Sequence, residues 1–260
     1  MPTQSHRRAS RASFQGVVTA VLLVGLLAGS LAVFAMDSRE PALHASLLLD
    51  STPTNNPAGM CDDARGIAKE LADYEEGPVD VTVFQTSTGR QDRQAIRIGS
   101  AQLKHAKSVY HRVGQDAQRK QRVDDFVDSV EDLCRQVVAT TESPIAAGIK
   151  GAVDLLQNQQ CGGPVRCVTY VRSDLIEEYH PRVMGRLYPK NAGVQRRAAA
   201  ATDAPPLVDN SNSIEVIACG LAERTVRPGK PLPSPRAAED AFRPEFSEPE
   251  LVSFDDYCPR

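Results

Sequence analysis

From residue 43 onward the apolar positions switch repeatedly between a strand period and a helix period. Leu43–Leu49 is apolar apart from His44 and Ser46 and reads as a buried strand. Ala64, Ile67, Ala68 and Leu71 recur on one helical face and predict a helix over Asp63–Tyr74, which Gly77-Pro78 ends. Val79, Val81 and Val83 alternate with Asp80 and Thr82, so Val79–Phe84 predicts a second strand. Ala95–Ile98 predicts a short strand, and the polar stretch 100–120 predicts a loop with partial helix. Val123, Phe126, Val127, Val130, Cys134, Val137 and Val138 then mark one side of an amphipathic helix. Another helix opens at Ser143, a favoured N-cap, and Pro144, a favoured first helical residue, with Ile145, Ile149, Val153 and Leu156 as its buried face. Val165–Val171 predicts a second central strand and Ile214–Cys219 a last one. Between them Leu175–Leu187 predicts a weaker helix interrupted by Pro181, and 189–212 a long loop carrying the Ala198–Ala201 tract. From Arg227 the prolines at 228, 231, 233, 235, 244 and 249 exclude regular helix over most of the length, leaving a turn or two at Ala237–Phe242.

Strands alternating with helices predict an α/β fold: a doubly wound, mostly parallel sheet with helices on both faces. The N-terminus adds a different element. His6, Arg7, Arg8 and Arg11 precede an uncharged run from Phe14 to Met36, long enough to span a bilayer, for which about 20 apolar residues suffice. The expected organisation is therefore a basic cytoplasmic segment at 1–13, one transmembrane signal anchor at 14–36, a domain at 43–222, and a Pro-rich tail at 223–260. The positive-inside rule leaves everything from Asp37 extracytoplasmic. The competing reading is a secreted protein, cleaved near Ala35 in Val33-Phe34-Ala35. The length of the apolar run favours the anchor.

Composition narrows the function. There is no Trp, so the core must come from Val, Leu, Ile and Ala, and the net charge is −3 with the charges interspersed. That excludes the basic face of a nucleic-acid binder. The locally basic stretch Arg112–Arg122 is offset by Asp116, Asp124 and Asp125. All six cysteines, Cys61, Cys134, Cys161, Cys167, Cys219 and Cys258, lie beyond the apolar run, and an even count in an exported domain predicts disulfides. Sequence leaves the pairing open. The turn at Gly162-Gly163-Pro164 favours a local Cys161–Cys167 bridge, after which Cys61–Cys134 and Cys219–Cys258 are the expected remainder, the last pinning the tail. No CxxC or His–Cys spacing suggests zinc.

Three loops carry candidate chemistry. The first strand ends in Asp50-x-Thr52-x-Thr54, Ser143 stands at the mouth of the Pro144 helix, and Asp174 follows the Val165–Val171 strand. In a doubly wound sheet all three fall on the C-terminal edge of the strands, where ligands bind. One carboxylate and two hydroxyls on one loop suit a hard divalent cation, and Mg²⁺ characteristically takes few carboxylates and keeps several waters.

With these segments the chain resembles the von Willebrand factor type A domain and its metal-ion-dependent adhesion site. The resemblance rests on Asp50-x-Thr52-x-Thr54, on Ser143-Pro144-Ile145 at a helix opening and on Val171-Arg172-Ser173-Asp174 after a strand, and it covers roughly 43–222. Three departures stand out: Ser occupies position 143, where Thr is commoner, the loop around 189–212 is unusually long, and Leu175 follows Asp174, where many members carry Gly. The resemblance implies a bound Mg²⁺ or Mn²⁺. Thr52, Thr54 and Ser143 would contribute hydroxyls, Asp50 and Asp174 would act directly or through water, and an Asp or Glu carboxylate of a protein partner would complete the coordination. The expected function is a membrane-anchored binding module and not an enzyme. A metal-free scaffold in a cell-envelope complex is the alternative. A metal-dependent hydrolase is disfavoured, because Thr52 stands where the haloacid dehalogenase type needs a second Asp, and neither a Gly-x-Ser-x-Gly elbow nor a phosphate loop is present.

Overall fold

The computed structural model describes residues 42–52, 59–74, 77–86, 95–104, 115–140, 144–159, 161–177, 179–201, 204–222 and 232–259. The expected anchor at 14–36 and the site residues Thr54 and Ser143 lie outside the described residues. Among those described, no helix is long and apolar enough to cross a membrane.

Six strands form one sheet in the order β3-β2-β1-β4-β5-β6. They are β1 (Leu43–Leu49), β2 (Val79–Gln85), β3 (Ile96–Leu103), β4 (Arg166–Arg172), β5 (Ile214–Cys219) and β6 (Val252–Asp255). Every pairing is parallel except β2 with β3. The α/β class and mostly parallel sheet expected from the sequence are therefore present. β1 lies at the centre with all seven residues buried, which explains its lack of strict alternation.

The two sheet faces carry separate cores. Leu43, Ala45, Leu47 and Leu49 pack with Ala64, Ile67 and Leu71 of α1 (Met60–Ala72) and Phe126, Val127 and Val130 of α2 (Gln115–Cys134). Leu48, Phe84 and Val171 face the other way, toward Ile145, Ile149 and Leu156 of α3 (Ile145–Gln157). The same core takes in Val183 and Leu187 of α4 (Pro181–Leu187) and Ala238, Ala241 and Phe242 of α6 (Pro235–Phe242). Ser46 bridges to Thr169 across the β1–β4 pair, Oγ to Oγ1, at 2.9 Å.

Several elements depart from the sequence expectations. The short strand expected at Ala95–Ile98 runs on to Leu103, antiparallel to β2. Gly99 permits this, because a Cβ there would lie 2.5 Å from Leu133 Cδ2 of α2. The helix expected to include Val137 and Val138 ends at Cys134. The helix expected over Leu175–Leu187 is absent from Leu175–Glu177 and begins instead at Pro181, which opens α4 from its first turn. The long loop expected at 189–212 contains α5 (Ala192–Ala199), whose N-cap Asn191 accepts hydrogen bonds from Gly193 and Val194.

Residues 232–259 contribute α6 and the last strand, and Ala238, Ala241, Phe242, Phe246 and Val252 join the second core. Glu245, 1% exposed, ties this segment to α4 through Arg182 at 2.6 Å and Arg186 at 2.8 Å. The three disulfides are Cys61–Cys134, Cys161–Cys167 and Cys219–Cys258, the pairing favoured by the sequence, and no cysteine is free.

Candidate metal-binding site

Parallel strands end together, so the residues after β1, β2 and β4 meet at one sheet edge. Asp50 follows β1, and its N–H donates to the Arg172 carbonyl at 3.0 Å. One carboxylate oxygen, Oδ1, accepts from the Thr52 N–H at 3.1 Å, and the other, Oδ2, accepts from the Ser173 hydroxyl at 2.8 Å. Across the edge, Asp174 Oδ1 accepts from the Ile176 N–H at 3.1 Å. Asp50, Ser173 and Asp174 are each 0% exposed, and Thr52 is 3% exposed. Asp50, Thr52 and Asp174 thus lie together at this one edge of the sheet.

Burial raises the Asp50 carboxyl from the ordinary 3.8 to about 6, reinforced by the negative charge of Asp174 and opposed by the hydrogen bonds from Ser173 and Thr52. The folded chain holds this proton more tightly than the unfolded chain. Through this group, metal-free stability is therefore full below about pH 3.8 and is lost as pH rises through about 6. Asp50→Asn, which removes the charge at constant size, is expected to melt higher than the wild type at pH 8. That advantage should shrink toward pH 4. Equal melting temperatures at pH 8 would contradict the strain assigned to Asp50.

The local sequence explains the loop after β4. Leu175 adopts φ 55°, the left-handed conformation that glycine takes freely and other residues at a cost of roughly 1–2 kcal/mol. Its side chain is completely buried in the second core, which offsets that cost. Its N–H donates to Ser173 Oγ at 2.9 Å, so one hydroxyl both braces Asp50 and shapes the turn. Asp174 therefore closes a tight turn at Ile176 and does not cap a helix at Leu175.

Three supporting groups were not legible as site residues. Ser173 is one. Glu177, 0% exposed, is another: Oε2 accepts from the Ala146 N–H at the start of α3 at 2.7 Å, and Oε1 accepts from the N–H groups of Tyr179 and His180 at 2.6 and 3.0 Å. It thus joins the Asp174 loop to the first turn of α3. Pro144 occupies the N-cap position with no side-chain cap bond. Gln85, the last residue of β2, is the third. Its Oε1 accepts from the Val138 N–H at 2.9 Å while the Ser51 hydroxyl donates to the Val138 carbonyl at 2.7 Å. With the Thr140 N–H bonded to the Ser51 carbonyl at 3.3 Å, the segment after α2 is held against the Asp50 loop. The signals were present only as polar residues at strand ends, and register decides their roles.

Among the described residues no group of three or more His, Cys, Asp or Glu side chains is arranged to hold a metal ion. The oxygen set here is of another kind: two buried carboxylates and neighbouring hydroxyls. It fits a hard divalent cation chemically, because such an ion would relieve the desolvation and mutual repulsion that raise Asp50.

No protein-family model and no curated protein matches the chain. Among solved structures it is similar to the conserved hypothetical protein BatB from Bacteroides thetaiotaomicron, at 10% identity over 82% of this chain and 89% of that one, with a TM-score of 0.39. It is also similar to proximal thread matrix protein 1 from the mussel byssus, described with a zinc-occupied MIDAS motif, at 10% identity over 84% and 44% of the two chains, with a TM-score of 0.40. A third is the manganese-loaded TRAP protein of Plasmodium vivax, at 11% identity over 73% and 65%, with a TM-score of 0.31. Likenesses of this strength assign the chain to no family.

Proposed function

We propose that this protein is a membrane-anchored, extracytoplasmic binding module of the von Willebrand factor type A kind, which recognises a protein partner through a divalent metal. Asp50, Thr52, Thr54, Ser143 and Asp174 are the proposed ligand set, Mg²⁺ or Mn²⁺ the proposed ion, and 14–36 the proposed anchor. Three disulfides are compatible with an oxidising compartment. The observation that carries the reading is the pair Asp50 and Asp174. These two carboxylates are completely buried at the strand ends, and the charge of Asp174 adds to the burial that disfavours an ionised Asp50. Because neither is exposed, a partner's carboxylate would meet the ion and not these side chains.

A metal-free scaffold is the second reading. It is favoured by the hydrogen bonds each carboxylate already accepts from an amide two residues on, which give both a structural use. Titration of Mn²⁺ into the full-length protein in detergent decides between them. The wild type is expected to bind one ion. Asp50→Ala is expected to weaken binding by more than the roughly 10–100-fold that loss of an outer-shell partner costs. Heat of binding absent from the wild type would leave only the scaffold.

A further inference from the structure

Two more hydroxyls at this sheet edge are buried with nothing to bond. Thr86 is 0% exposed and Thr140 is 3% exposed, and neither Oγ1 has a hydrogen-bond partner among the described residues. Natural structures leave few such groups, and each costs roughly 1–3 kcal/mol.

Their positions place them around Asp50. Leu49 pairs with Gln85 on one side and Arg172 on the other, so Asp50 is flanked by Thr86 and Ser173, one residue further along each strand. The Thr86 N–H donates to the Leu49 carbonyl at 3.2 Å, which holds the two ends together. Side chains two apart on a strand share a face, and Leu48, Phe84 and Val171 all enter the α3 core. Asp50, Thr86 and Ser173 therefore share that face. In agreement, a Cβ added at Gly148 of α3 would lie 3.6 Å from Thr86 Cγ2. Thr140 reaches the edge from the other side, its backbone bonded to Ser51 between Asp50 and Thr52. Ser173 Oγ already serves Asp50, whereas the Thr86 and Thr140 hydroxyls bond no neighbour among the described residues. Valine would keep the methyl group and the shape without the cost of a buried hydroxyl, so packing alone does not account for threonine at both places.

We propose that Thr86 and Thr140 are positioning residues of the metal site, their hydroxyls hydrogen-bonding the water shell of the bound divalent ion. This rests on the metal reading given above. An ion held by one or two carboxylates keeps several waters, and each is a strong donor that a hydroxyl lone pair can accept.

The test uses Thr86→Val, Thr140→Val and Thr86→Ser in the full-length protein. Two readouts are taken: Mn²⁺ affinity by calorimetry and the melting temperature in excess chelator. Each valine variant is expected to melt no lower than the wild type without metal and to bind Mn²⁺ about 10-fold more weakly or worse. Thr86→Ser is expected to keep wild-type affinity. Wild-type affinity in both valine variants overturns the inference and leaves the metal reading intact. A lowered metal-free melting temperature for either valine variant assigns that hydroxyl a structural partner and removes it from the proposal. Absence of Mn²⁺ binding in the wild type removes the metal reading, and this inference with it.

Discussion

Arg172→Ala is expected to cost about 3–5 kcal/mol of folding free energy, read from denaturant unfolding of the metal-free protein. Arg172 ends β4 with 0% of its side chain exposed, and its Nε donates to Asp63 Oδ2 of α1 at 2.9 Å, with the Asp63 side chain 1% exposed. Truncation leaves a carboxylate in the core without its cation. The penalty is mainly that desolvation and not the attraction lost, so replacing both partners should behave differently. Arg172→Met combined with Asp63→Leu is expected to recover most of the stability, since apolar pairs of similar volume commonly match a buried ion pair. Equal stability of Arg172→Ala and the wild type would show that the pair carries no weight. The residue also matters for the site. Its carbonyl accepts the Asp50 N–H, and Ser173 and Asp174 follow it directly, so loss of its anchorage should blur the edge that holds both carboxylates.

Removal of the Cys219–Cys258 bridge by paired serine substitutions is expected to cost about 4 kcal/mol on the chain-entropy argument for a separation of 39 residues. The segment it holds comprises α6 and β6, which are also held by the pairing of β6 with β5, by the Glu245 ion pairs and by the apolar contacts of Ala238, Ala241 and Phe242. Melting with and without a thiol reductant, beside the serine variant, is the check. An identical melt in all conditions would contradict the assignment. The two sites should not act independently. A Cβ placed at Gly220 would lie 3.8 Å from both Arg172 Nε and Cys258 Sγ, so bridge and ion pair share one neighbourhood. Combining Arg172→Ala with the serine pair should give a loss different from the sum of the two.

Much of this arrangement was legible in the residues. Leu43–Leu49 and Ile214–Cys219 match β1 and β5 to the residue, because short, mostly apolar runs of that length fit buried strands. Sequence left the disulfide pairing open, and the set favoured by one tight turn and by order along the chain is the set present. β3 was curtailed because Gly99, Ser100 and Gln102 look polar or structureless; only the packing of Leu133 against Gly99 reveals why glycine belongs there. β6 was missed because Val252–Asp255 is four residues set among prolines, and it is defined by pairing with β5 and not by any local pattern. In the site, Asp50 and Asp174 were legible because their loops follow strong strands. Ser173, Glu177, Thr86 and Thr140 were not: a hydroxyl or a carboxylate acquires its partner from cross-strand register and from loops far apart in sequence.

The central pairing has a consequence for how the chain reaches this state. β1 cannot complete its hydrogen bonds until β4 arrives, and their shared contact between Ser46 and Thr169 spans 123 residues. Nonlocal strand pairing of this kind slows folding and prolongs the exposure of apolar strand edges to other chains. During that interval Leu43–Leu49 is a sticky ribbon with one unmatched side. The Cys61–Cys134 bridge lies wholly within the part of the chain that precedes β4, so its oxidation can lock the early half into shape before the centre closes. The order of thiol oxidation relative to strand docking would then govern the yield of folded protein.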